Sequence, residues 1–179
     1  ENLDETKYHI MPTNHGAEGV MVSLGIGHDT KGELALRARA PNLRFYGADP
    51  SADINDKLFK ELGVFFPFAI SGSLGTSKSI VLNGNGLYDE HTVVHVDLPR
   101  FLRAFVNESL IDTVWFDMEG GEYSVLPMFA TGAKLDRLDI TLCMFNMEIH
   151  NDPHEKEIYA QFVQQTLADR RYAIYKPEP

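Results

Sequence analysis

The sequence predicts an α/β domain built on a mainly parallel sheet. Three observations lead there. Short apolar runs of β type alternate with helical patterns along the chain. The first apolar run breaks at Gly25-Ile26-Gly27 and passes directly into a helix start. An acid, Asp49, closes the second run 24 residues beyond Gly25.

The elements follow in order. Residues 1–18 are polar and read as an N-terminal extension; a chain opening on Glu1 reads as a trimmed piece of a longer one. Residues 20–24 form a buried first strand. Thr30-Lys31-Gly32-Glu33 matches the S/T-x-x-E capping box, so a helix runs over 31–40 and stops at Pro41. Residues 43–48 form the second strand. Ile54, Leu58 and Leu62 recur every fourth residue, which predicts a helix over 55–62 ended by Gly63. Residues 65–70 are a third strand. Residues 71–86, rich in Ser, Gly and Asn, read as loop around a short strand at 79–82, with 92–96 pairing beside it. Asp97 and Pro99 start a helix whose apolar side carries Phe101, Leu102, Phe105 and Val106. Residues 113–116 make the fourth core strand, ending at Asp117. Residues 122–131 read as a helix disturbed by Pro127 and ended by Gly132. Residues 138–149 read as a long fifth strand. Asp152-Pro153-His154-Glu155 starts a helix with Ile158, Phe162 and Leu167 on its face, and 172–175 form a last strand.

The chain has 179 residues, 44% of them apolar, enough for one domain with a core and short for two. It shows no internal repeat and no low-complexity linker. Sixteen basic residues against 26 acidic ones leave a net charge of −10. That balance argues for solubility and against nucleic acid or anionic lipid as partners. No run approaches the roughly 20 apolar residues of a membrane span, and no signal peptide is visible. The compartment is therefore cytoplasmic by default, or a secretory-pathway lumen where a signal or anchor precedes Glu1. Cys143 is the only cysteine, so there is no intrachain disulfide and no cysteine zinc site. Its run, ITLCMF, predicts a small buried hydrophobe.

The turn after the first strand, Gly25-Ile26-Gly27-His28-Asp29, needs residues that tolerate positive φ. The helix behind it directs free N–H groups at a negative group, either a pyrophosphate or a carboxylate. A dinucleotide brings the first and S-adenosylmethionine the second. The G-x-G-x-x-G pattern wants glycine at position 30, where Thr30 stands. Asp49 at the end of the second strand suits the hydroxyls of an adenosine ribose, which both ligands carry.

In order and at compatible spacing stand VMVSLGIGHDTKGE, RFYGADP, LGVFFPFAISGS, VHVDLPRFL, VWFDMEGGEYSVLP and MFNMEIH. Together they resemble the FkbM-type methyltransferase family, in wording similar to its nematode branch, over residues 8–176. The resemblance implies a three-layer, Rossmann-like class I methyltransferase fold with a mostly parallel seven-stranded sheet containing one antiparallel strand. It implies S-adenosylmethionine as cofactor and a hydroxyl of a glycan or small metabolite as methyl acceptor. Carried over by position, Gly25, Gly27, His28 and Asp29 would lie at the methionyl end of the cofactor, Asp49 with Pro50 at the ribose, and Ile70 with Ser71 near the adenine. The chain departs from many relatives in two places. Ser23 stands where an acid precedes the first glycine by two residues, and Gly121 replaces a small residue of the D-x-E-G-x-E stretch.

In an open α/β sheet, ligands bind beyond the carboxyl ends of the strands. Asp117, Glu119 and Glu122 fall on that edge as base, substrate clamp or part of a metal site, or as helix caps. Asn146, Glu148 and His150 alternate with apolar neighbours and share one face; Glu148 and His150 would orient the acceptor, with His150 a possible base. The other histidines (His9, His15, His28, His91, His95, His154) show no metal spacing, and no metal is assigned. Two further readings stand beside the methyltransferase: a catalytically silent binding module of the same fold, and an NAD-linked oxidoreductase.

Overall fold

The computed structural model describes residues 7–14 and 16–177. Residues 1–6 of the expected N-terminal extension, and His15, lie outside the described residues. The centre of the fold is a five-stranded sheet, all of it parallel. Its strands are β1 (Gly19–Leu24), β2 (Leu43–Ala48), β3 (Gly63–Phe66), β7 (Leu110–Phe116) and β8 (Thr141–Met147), in the order β3-β2-β1-β7-β8. β1 lies in the middle and is buried over its whole length, which is why it reads as a continuous apolar run rather than an alternating one.

Period-two geometry sends its side chains to two separate cores. Val20, Val22 and Leu24 join one with Leu98, Phe101, Leu102, Val106 and Phe129. Met21 joins the other with Leu36, Phe45, Phe59 and Trp115. The second core lies under α1 (Lys31–Arg39) and α2 (Ala52–Lys60). The first lies under α3 (Leu98–Arg100), the π turn Phe101–Val106 that continues it, two 3-10 turns (Gly121–Ser124 and Leu126–Phe129), α4 (Lys134–Arg137) and, through Phe162, α5 (Lys156–Asp169). The expected three-layer, Rossmann-like α/β class is what forms.

A second sheet of three strands holds β4 (Ala69–Ser71), β6 (Tyr88–Asp97) and β5 (Gly75–Leu82). The hairpin β5–β6 supplies the antiparallel pairing, and it lies outside the main sheet. The seven-stranded sheet with one antiparallel member is thus replaced, among the described residues, by five parallel strands plus this separate sheet. Residues 172–175, expected as a last strand, are not strand.

Several boundaries differ for identifiable reasons. The expected third strand splits into β3 and β4 around Pro67, which cannot donate to a ladder. The fifth strand is shorter, because 134–137 form α4 and Asp139 takes a positive φ before β8 begins. The helix expected over 122–131 is two 3-10 turns, with Pro127 in the first turn of the second. Thr30 makes no capping bond. Asp29 accepts the Lys31 N–H instead, at 2.8 Å, and Glu33 turns inward. Phe105 and Leu167 are exposed, and Thr166 rather than Leu167 is the buried position late in α5. Cys143 is exposed too: it points away from the core on β8, at the edge of the sheet, between buried Leu142 and half-buried Met144. Asp97 caps α3 as expected, accepting from the Arg100 N–H. No helix among the described residues is long and apolar enough to cross a membrane.

Candidate active site

The chain runs outward from β1 through β2 to β3 and later returns to the other side of β1 with β7, so strand order reverses between β1 and β7. A cavity of about 880 Å³ opens at the carboxyl ends of these strands, within the roughly 300–1,000 Å³ of small-molecule and cofactor sites. Its wall joins Gly25, Ile26, Gly27 and Asp29 after β1 to Asp49 and Pro50 after β2. It continues through Asp117 and Glu119 after β7 and Glu148 and His150 after β8.

The glycine turn is pinned on both sides. The Gly25 N–H donates to the Ala48 carbonyl at 2.9 Å, and the Asp117 N–H donates to the Leu24 carbonyl at 2.8 Å. Gly25 has φ +81°, and a Cβ there would stand 1.6 Å from the Asp117 carbonyl oxygen. No other residue fits that backbone. Gly27, at φ +60°, is different: a Cβ would meet nothing within 4 Å, so the wall is open above it.

Asp49 is buried and sets the turn from below. Its Oδ2 accepts from the Ile26 N–H at 2.8 Å, and its Oδ1 accepts from the Ser51 N–H at 2.7 Å. The Gly27 N–H also donates to Oδ2, at 3.4 Å, so Oδ1 is the oxygen that keeps lone-pair capacity for a ligand hydroxyl. His28 turns away from the cavity. Its N–H donates to the Asn55 side chain at 3.1 Å, and its Nε2 lies 3.2 Å from the Ser51 hydroxyl. Asp29 lines the cavity; burial pushes its carboxyl up, but the Lys31 N–H and ammonium outweigh this and hold it below the usual range. Ser71 bonds within its own loop, to the Ser73 carbonyl, and does not reach the wall; Ile70 does.

Around His150 four carboxylates converge. Its Nε2 lies 3.3 Å from Glu119, 3.7 Å from Asp117 and 4.0 Å from Glu148, and its Nδ1 lies 3.4 Å from Glu122. At 3.4 Å the Glu122 contact is an ion pair rather than a well-formed hydrogen bond. The Glu122 carboxylate most of all, then Glu119 and Asp117, raise the imidazole pKa to about 9 against the opposing effect of burial. His150 is therefore a cation at neutral pH. Glu122 is fully buried and does not line the cavity. Its two oxygens accept from the Met118 and Gly120 N–H groups, so it shapes the loop that presents Asp117 and Glu119. Asp117, Glu119 and His150 also bring one ligand atom each within 4.8 Å of one another, a spacing a metal ion can use. The sequence did not reveal this, because the three come from two loops. A divalent ion there would have to displace the proton on His150.

Asn146 does not join the Glu148–His150 face. Its side-chain amide clasps the backbone of Tyr8, accepting from the N–H at 3.3 Å and donating to the carbonyl at 2.7 Å. This brings Lys7, His9 and Met11 to the cavity wall. Sequence reasoning had no signal for these residues, nor for the hairpin wall of Ser79–Leu82 and His95. The Nε2 of His95 is held between the hydroxyls of Ser77 and Ser79, at 2.8 and 3.2 Å.

The family comparison covers almost the whole chain: residues 3–174 match the family model described as the methyltransferase FkbM domain. No curated protein and no solved structure matches.

Proposed function

The chain belongs to the FkbM methyltransferase family, and on that premise we propose that it moves a methyl group from S-adenosylmethionine to a hydroxyl oxygen of a glycan or small metabolite. The observation that carries this reading is the cavity at the strand-order reversal, which joins an open glycine turn to the carboxylate group around His150.

The residues present suit the cofactor. Gly27 leaves room over the turn, Asp49 offers its Oδ1 where a ribose would lie, and the wall is acidic enough for a cationic sulfonium. Bound S-adenosylmethionine supplies an electrophilic methyl group on that sulfonium. The chain itself must orient the acceptor hydroxyl and take its proton. His150 already holds a proton at neutral pH, so that task falls to a carboxylate. Asp117 follows β7 directly, abuts Gly25 through its backbone and lines the cavity, which makes it the base. His150 acts as the cation that fixes Asp117 and Glu119 in place, while Glu148 on the same wall positions the acceptor.

Calorimetry with S-adenosylmethionine, S-adenosylhomocysteine and NAD tests the cofactor. The first two bind, NAD does not, and Asp49→Ala weakens both. Binding of NAD alone would make the protein an oxidoreductase. Transfer of labelled methyl to a panel of glycans and hydroxylated metabolites then reads the reaction. Tight cofactor binding with no transfer to any member would favour the silent binding module.

A further inference from the structure

One buried charge on the cavity wall has no part in the site above. Glu33, on α1, is only 5% exposed yet contributes to the lining. Its Oε1 accepts a 2.7 Å hydrogen bond from the hydroxyl of Ser23, itself wholly buried two residues before Gly25. A carboxylate this deep is costly unless a cation or several donors meet it. Burial is the largest influence on Glu33 and pushes its carboxyl above the usual range, with the Ser23 bond opposing. Lys7 acts on it through its field, with its ammonium over the Trp115 ring at 5.5 Å from the centroid.

We infer that Glu33, held by Ser23, binds the ammonium group at the methionyl end of S-adenosylmethionine. This rests on the cofactor reading proposed above. Glu33 has the Ser23 hydroxyl and its own backbone N–H as donors and Lys7 acting at a distance; an ammonium group brings an opposite charge and further donors directly to it. The other acids near the turn have other partners: Asp29 pairs with Lys31, and Asp49 accepts from the Ile26, Gly27 and Ser51 N–H groups, its remaining capacity going to the ribose. Ser23 is neutral and does not reach the wall, so the carboxylate of the first-strand edge is delivered from α1 instead.

The test compares S-adenosylhomocysteine with its analogue carrying hydrogen in place of the amino group. Wild-type protein binds the amino form roughly ten- to a hundredfold more tightly, the usual worth of a charge-assisted hydrogen bond. In Glu33→Gln, whose amide oxygen can still accept from Ser23, that preference falls to within about threefold, while affinity for the deaminated analogue is unchanged. Equal loss for both ligands would mean that Glu33 only supports Ser23, and the inference fails. Should the variant not fold, the wild-type comparison decides: equal affinity for the two ligands overturns the role of Glu33. Binding of neither ligand overturns the cofactor reading and this inference with it.

Discussion

Replacing Glu122 with Gln removes the charge that most strongly holds the proton on His150. The wild-type imidazole is raised from 6.5 to about 9. At 1.36 kcal/mol per pH unit, that is a preference of about 3 kcal/mol for the protonated form in the folded protein. The sign is that of a group whose folded pKa is elevated. Its contribution to stability is complete below pH 6.5 and fades as pH rises through about 9. In Glu122→Gln the remaining acids Asp117, Glu119 and Glu148 still face the ring, so the pKa stays above its ordinary value but falls by about a unit or more. The amide also sets an N–H₂ against one of the two N–H groups, Met118 or Gly120, that the carboxylate served. An unmet buried donor costs about 1–3 kcal/mol, independent of pH. Two measurements separate the effects. NMR titration of the His150 ring protons gives the pKa directly. Denaturant unfolding at pH 6 and pH 10, with His150→Asn as reference, gives the pH-dependent part of the stability. A folded Glu122→Gln protein whose His150 still titrates near 9 would refute the assignment of Glu122 as the dominant partner.

The two turn glycines should respond in opposite ways. Gly25→Ala drives a Cβ into the Asp117 carbonyl at positive φ, and thermal unfolding should show a loss of more than about 4 kcal/mol or no folded protein. Gly27→Ala meets open space, so it should cost only about 1–2 kcal/mol of left-handed strain while abolishing cofactor binding by calorimetry. Asp117→Asn should keep the fold, with only a small loss of stability from one fewer acid beside His150, and cut labelled-methyl transfer by about a hundredfold or more; unchanged turnover removes Asp117 from the base role. Asn146→Ala removes both bonds to Tyr8 and should speed proteolytic cleavage within 7–14 without lowering the stability of the sheet.

Where local pattern and tertiary packing agree, the sequence was easily legible. β2 begins and ends where its apolar run does, and β1 and α1 differ from their expected limits by a residue. The edge rule for open sheets also gathered Asp49, Asp117, Glu119 and His150 correctly, since it depends only on strand order. What failed was reasoning that assigned a side chain to its nearest sequence neighbour. Thr30 and Glu33 have the spacing of a capping box, but Glu33 finds Ser23 across the α1–sheet interface and Asp29 takes the free N–H. Glu122 read as a helix cap or catalytic acid; it is instead a buried anchor, because the chain after Asp117 coils into 3-10 turns. The protonation of His150 was beyond reach, because it comes from Glu122, Glu119 and Asp117, which lie about thirty residues earlier in the chain and meet His150 only in the fold.

The clasp between Asn146 and Tyr8 joins positions 138 residues apart in the chain. A wall that includes Lys7, His9 and Met11 therefore cannot close until β8 has joined the sheet. The glycine turn already needs β2 and β7 beside β1, since Ala48, Asp49 and Asp117 hold it, and contacts of still longer range come late in folding. Ligand affinity then reports on the completed molecule. A nascent or truncated chain carrying the turn but lacking either end would expose the cradle without enclosing its guest.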